Sequence, residues 1–310
     1  MNGNDMTTYD AIIVGGSYAG IAAALQLARA RRRVLVMDEG LRRNRFASHS
    51  HGFLGQDGRP PGDIAAEARA QLMRYPTVTW MTGRAEKAAR TSMGFEITDS
   101  NGTGHRARRL LIAVGVVDEL PAIPGLAERW GRSVFHCPYC HGYELMRGRI
   151  GVIAVSGHSM HHALMLPDWG PTTLLLNGTF DPDADQSAHL AQRGVVVETT
   201  LISGIDRDPP EVALADGRKL PFAGLFVLPR SIVASPLAAQ LGCASEDGPL
   251  GTHISVDAMQ ETSVPGVFAC GDAARAAGSV ALAVGAGTMA GTALHRSLLF
   301  CEDDALFARA

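Results

Sequence analysis

The first patterned segment, Asp10-Ala11-Ile12-Ile13-Val14, ends in an unbroken apolar run of strand length. Such runs read as strands buried on both faces of a parallel sheet. Gly15-Gly16-Ser17-Tyr18-Ala19-Gly20 follows, and Ile21–Arg29 then repeats its apolar positions at helical spacing. Arg33–Met37 is a second buried strand, so the segment predicts a βαβ unit. Arg108–Val114 predicts a further strand ending at Gly115. A second βαβ unit starts at Ile150–Val155, continues through a helix around Ser159–Leu166, and closes with the strand Thr172–Leu176. Leu225–Leu228 and Val267–Ala269 predict two more strands, and Ser279 to Leu299 a long terminal helix.

This pattern predicts an α/β protein in which one nucleotide-type unit is nested inside another. The expected boundaries are 1–116 with 243–310 for the outer domain and 117–242 for the inner one. Pro121, Pro124 and Gly125 mark one crossing, and Gly242 to Gly251 the other. A length of 310 residues accommodates two such domains. Net charge is −3, which offers no electrostatic case for nucleic acid or an anionic membrane. The run Ala11–Ala30 has about the length of a membrane span, but Gly15-Gly16-Ser17 interrupts it. Asp5 and Asp10 precede it where a signal peptide would carry positive charge. The expectation is a cytoplasmic chain without membrane contact. The five cysteines, an odd number, argue against a structural disulfide framework. Cys243, Cys270 and Cys301 stand alone and read as inert packing residues.

The first glycine-rich turn has the form Gly15-x-Ser17-x-x-Gly20, with Ser17 at the middle glycine position of a dinucleotide fingerprint. Serine is small there and can itself donate a hydrogen bond. Asp38 ends the second strand at about the 20 residues' distance at which a ribose-binding carboxylate stands. Strand, turn, helix and carboxylate together make a phosphate cradle with a ribose anchor.

The chemistry centres on His136-Cys137-Pro138-Tyr139-Cys140-His141. Two cysteines separated by two residues can close a small disulfide, and the arrangement lowers the pKa of one thiol. Cys-x-x-Cys-His is also the attachment motif of c-type haem, which needs export. Zinc would want a second pair of ligands at suitable spacing, and none is apparent, so no metal is expected. A purely structural disulfide does not suit a cytosolic protein. A redox pair is the further reading, favoured by the flavin context that the resemblance below implies. His141 follows the second cysteine directly and can serve as acid/base, with a reference pKa of about 6.5. His136 is a second candidate.

Near the other end, Thr262-Ser263-Val264-Pro265-Gly266-Val267-Phe268-Ala269-Cys270-Gly271-Asp272 resembles the C-terminal flavin motif of the pyridine-nucleotide disulfide oxidoreductases. Nearly the whole chain is similar to the low-molecular-weight thioredoxin reductases, whose fold is two nested Rossmann-like domains. The resemblance implies FAD as cofactor. Its contacts would be Gly15, Ser17, Tyr18, Ala19, Gly20, Asp38, Glu39, Arg45, His51, Ala85, Ala113, Gly271, Asp272, Val280 and Ala281. Asp272 would hold the ribitol chain, and the helix opening at Val280 and Ala281 would aim its positive end at the flavin. Ala85 would meet the adenine through its backbone. Arg45 and His51 lie on the stretch that passes along the cofactor in that family. The catalytic residues would be Cys137, Cys140, His141 and His136, with Cys140 facing the flavin and Cys137 the substrate. In the reductases an aspartate stands where this chain has His141.

The second unit departs from those reductases. Their NADPH motif falls on Ala154-Val155-Ser156-Gly157-His158-Ser159, where both leading glycines are lost. Side chains there would crowd a pyrophosphate. Leu176-Asn177-Gly178 stands where the 2′-phosphate would need arginines, and no Lys or Arg occurs from Ile150 through Gln192. NADP(H) binding is therefore doubtful. The stretch instead holds His158, Met160, His161, His162, Met165 and Trp169, as an apolar helix or the lining of a substrate cleft.

Cys137–His141 and the degenerate second site together resemble the FAD-dependent dithiol oxidases of disulfide natural-product biosynthesis, of the holomycin, gliotoxin and romidepsin type. That resemblance implies a homodimer closing an intramolecular disulfide in a small-molecule dithiol, with molecular oxygen reduced to H2O2. Two rival readings are an NAD(P)H-dependent disulfide reductase of thioredoxin-reductase type and a non-catalytic flavoprotein redox sensor.

Overall fold

The computed structural model describes residues Thr8–Phe300; Asp5 and Cys301 lie outside the described residues. The chain forms two compact units. One contains residues up to Arg43, Gly62–Val117 and the chain from Ser231 onward; the other contains Asn44–Pro61 and Asp118–Arg230.

The first unit starts with strand β1 (Thr8–Val14), helix α1 (Tyr18–Arg29) and strand β2 (Val34–Asp38). The β1 and β2 strands are parallel, with Ile12 opposite Leu35. On its other side β1 pairs in parallel with Gly104–Ile112, and Val267–Ala269 joins that strand in turn. Ala11, Ile12, Ile13, Leu110, Leu111 and Ile112 are fully buried, as a strand covered on both faces requires. Val78–Thr82 adds a parallel edge beside β2. The hairpin Ala85–Thr91 and Gly94–Asp99, which the sequence pattern did not announce, completes the seven-stranded sheet on the other side.

The strand expected to run to Val114 stops at Ile112. Ala113 still donates its N–H to the Val14 carbonyl at 2.7 Å, and its own carbonyl lies over Gly15. The return crossing also falls earlier than expected, at Arg230–Ser231 in place of Gly242. Leu237 and Ala238 account for this: both are buried in the core that contains Ile12 and Ile112. The long helix Val280–Leu299 lies across α1 with Gly287 over the Ala19 carbonyl and Gly291 over the Ala23 carbonyl. A β-carbon at either glycine would collide with backbone, so these two positions set how closely the helices approach.

In the second unit five parallel strands stand in the order Val196–Glu198, Thr172–Leu175, Ile150–Ile153, Gly224–Val227, Val134–Phe135. Its core includes Phe226, Val152, Leu174 and Leu166. A three-stranded antiparallel sheet, Ile202–Asp206, Glu211–Leu214 and Lys219–Pro221, encloses a second cluster around Val212 and Leu225. Among the described residues no helix is long and apolar enough to cross a membrane.

Candidate active site

Two places in the fold carry the residues singled out above, one in each unit. The first is the turn between β1 and α1. Gly15 has φ +101°, and a β-carbon there would strike the Ala113 carbonyl oxygen. At Gly20 a β-carbon would strike the Gly15 carbonyl oxygen. Both glycines are therefore required for the turn itself. Gly16 donates its N–H to Asp38 Oδ1 at 2.9 Å and has the Trp80 ring behind it. Asp38 Oδ2 keeps no partner among the described residues. Ser17 takes the N-cap position of α1 in extended conformation, yet its hydroxyl makes no capping bond. Among the described residues, the Ala19 and Gly20 N–H groups and the Ser17 hydroxyl are thus left for a ligand, and no acidic residue stands in the first turn.

A shallow cleft opens beside this turn, at the carboxyl ends of the strands where the strand order reverses. Its lining includes Gly15, Ser17, Asp38, Glu39, Ala85 and Ala113, all expected from sequence. Arg84, Ala234 and Ser235 line it as well and were not anticipated; the last two reach it only because the chain returns at Ser231. Tyr18, Ala19 and Gly20 lie buried in the first turn of α1. A glycine cradle, an uncapped helix start and a half-free carboxylate fit a dinucleotide.

Gly271 adopts φ +70° and packs on Ala19, and Asp272 follows it, partly buried. Asp272 Oδ2 accepts a hydrogen bond from Arg43 Nη1 at 2.9 Å, with both side chains about one-fifth exposed. The sequence contains Arg43 only as one of a run of arginines, so no spacing announces this partner. The terminal helix is capped by Ser279, whose Oγ accepts the Leu282 N–H; Val280 is half-buried and Ala281 exposed at its start. Arg45 and His51 do not line the cleft. The segment Asn44–Pro61 belongs to the second unit, where the Arg45 guanidinium stacks on Phe46 at 4.3 Å.

The second place is the disulfide-closed turn of Cys137 and Cys140. Cys137 begins a single helical turn, Pro138–His141, and is disulfide-bonded to Cys140 with their Cα atoms 5.3 Å apart. Pro138 suits the first helical position because its missing N–H would have no partner there. His141 stacks on Phe135 with ring centroids 4.2 Å apart. Burial first, and then the nearby charge of His51, push its pKa down to about 4. His51 in turn lies between two carboxylates, 3.5 Å from Asp57 and 3.4 Å from Glu144. His136 rests against Trp130, centroids 5.9 Å apart. Burial pushes the Cys270 thiol up to about 12, and raises that of Cys243 too, in keeping with inert packing roles. Among the described residues no cluster of three metal-ligating side chains occurs.

The second unit's own nucleotide turn is closed on itself. Ser159 Oγ accepts the Val155 N–H at 3.1 Å, and Ser156 Oγ accepts the His158 N–H at 3.3 Å. These donors are the ones a phosphate would use. The helix that follows, Met160–Met165, is six residues long and ends at Leu166-Pro167. Asn177 turns its Oδ1 to the Ile202 N–H at 2.8 Å. Arg218 donates to Glu198, which pairs with Leu175 at this strand end, and to Asp216 and Thr200, at 2.8, 2.7 and 3.0 Å. The Arg218 hydrogen bond holds the Glu198 carboxyl down near pKa 2, so that corner presents an engaged ion pair.

Similarity to known proteins follows the same lines. Thioredoxin reductase tcpT of Claviceps purpurea (strain 20.1) is 33% identical over 302 residues, 94% of this chain and 94% of its own. The crystal structure of the oxidoreductase from Agrobacterium tumefaciens matches with a TM-score of 0.93 at 59% identity, over 96% of this chain and 100% of that one. The crystal structure of HlmI matches with a TM-score of 0.88 at 34% identity, over 94% and 93%. The fold is that of the low-molecular-weight thioredoxin reductases, with two Rossmann-like domains. Residues 9–290 match the model of the pyridine nucleotide-disulphide oxidoreductases, and the chain belongs to that family.

Proposed function

We propose that this protein is an FAD-dependent dithiol oxidase that closes a disulfide in a small molecule and passes the electrons to oxygen. The observation that carries this reading is the self-closed nucleotide turn of the second unit: Ser156 and Ser159 take up the N–H groups that NADPH would need. Arg218, engaged by two carboxylates, is not free to meet a 2′-phosphate there. Electrons then enter as thiol, not as hydride.

Gly15, Ser17, Gly20 and Asp38 would hold the dinucleotide, and Asp272 with Arg43 would hold its ribitol end. FAD bound there supplies a two-electron acceptor that oxygen can regenerate. At the redox turn His141, unprotonated at neutral pH, is the base candidate for the proton of an incoming substrate thiol. The thiolate opens the Cys137–Cys140 disulfide at Cys137, by similarity to the reductases, and the second substrate thiol then displaces Cys137. The substrate leaves as a disulfide and the enzyme holds two thiols. In sum, one dithiol and one O2 give one disulfide and one H2O2.

The test is an anaerobic titration of the purified flavoprotein, with dithiothreitol and with NADPH side by side. Bleaching by the dithiol, recovery in air with peroxide, and no bleaching by NADPH are expected. Rapid bleaching by micromolar NADPH would establish the reductase alternative instead.

A further inference from the structure

Tyr139 sits between the two redox cysteines and is 73% exposed. Its hydroxyl makes no hydrogen bond among the described residues, so the ring is not there to anchor the turn. The side chain meets Trp169 edge to face, with centroids 5.3 Å apart and planes at 88°. Trp169 is fixed from beneath. Its indole lies so close to Gly142 that a β-carbon there would strike ring atoms Cδ1 and Cγ. It also packs on the core that contains Leu166 and Phe226. The acidic residue before it, Asp168, is paired with Arg193 at 2.6 Å. Tyr143 and Met146, on the turn after the redox helix, are 80% and 81% exposed. An aromatic pair, charge-neutral and partly rigid, thus flanks the disulfide.

We propose that Tyr139 and Trp169 seat the organic body of the substrate, which makes the preferred substrate a small dithiol on an apolar or aromatic scaffold. This rests on the assignment of Cys137 and Cys140 as the thiol-exchanging pair. The occupant is a small molecule because the seat is one aromatic pair beside one disulfide. A protein dithiol would need a surface of many residues, with the charge complementarity typical of such docking. Ring-on-ring contact adds to the burial of a flat apolar body, and together they amount to roughly tenfold in affinity per aromatic partner.

The experiment compares ortho-xylylene dithiol, dithiothreitol and the bis-S-methyl derivative of the former, which cannot react. For Tyr139→Ala and Trp169→Ala, kcat/KM should fall about tenfold further with the xylylene dithiol than with dithiothreitol. Tyr139→Phe and Trp169→Phe should restore most of the loss, since the ring is what counts. Calorimetric binding of the S-methylated derivative to the oxidised holoenzyme should weaken by a similar factor in the alanine variants. Equal losses with both dithiols, a selective loss with a reduced thioredoxin, or unchanged binding of the derivative would each overturn the seat. Absence of aerobic turnover with tight, Tyr139-dependent binding would instead sink the oxidase reading and leave the seat standing.

Discussion

The imidazole of His141 lies nearly flat on the ring of Phe135, with planes 24° apart and centroids separated by 4.2 Å. Phe135 is itself buried at the end of a strand and tilts against Phe226 in the core. The base candidate is therefore held from the hydrophobic interior, and the loss of water that lowers its pKa comes from the same contact.

That depression sets a pH expectation for activity. A group with pKa about 4 is unprotonated across the neutral range, so the acid limb of kcat/KM should fall well below pH 6.5. His141→Gln should lower kcat/KM by on the order of 100-fold and abolish that limb. Steady-state oxygen consumption from pH 4 upward measures both; a limb near 6.5 in the wild-type enzyme would contradict the assignment.

Stability should move with pH for the same physical reason at a second site. His162 is 3% exposed, meets Phe226 edge to face, and has its pKa lowered to about 4 by burial and then by His161. The folded pKa lies below the unfolded value of about 6.5, so the unfolded chain binds more protons between those two values. Stability is full above pH 6.5 and declines as pH falls toward 4. The size is on the order of 3 kcal/mol for His162. Urea unfolding of wild type and His162→Leu at pH 7 and pH 5 should show the smaller drop in the variant.

Gly20→Ala tests the dinucleotide cradle. The added methyl would collide with the Gly15 carbonyl oxygen, so either the turn or the start of α1 must shift. The flavin-to-protein ratio after purification should fall at least about tenfold, while circular dichroism keeps the wild-type shape. A variant that retains full flavin would show that the turn does not bind it.

The nesting of two βαβ units, the glycine turn with Asp38, and the disulfide-bonded pair Cys137 and Cys140 were all legible in the order of residues. Each is a local signal: an apolar run fixes a buried strand, a glycine marks a backbone other residues cannot adopt, and Cys-x-x-Cys places two sulfurs one turn apart. The pairing of Asp272 with Arg43 was not legible, since residues 229 apart meet only through the packing of strands from both ends of the chain. Nor were the carboxylate partners of His51, which stands between Asp57 and Glu144, since they come from different loops. The return of the chain at Ser231 escaped the pattern because Leu237 and Ala238 fill a core whose other members come from strands far away in sequence. Chemistry-bearing residue types thus follow from short-range order, whereas which side chains surround them, and hence how far His141 is stripped of water, depends on contacts that only the folded chain creates.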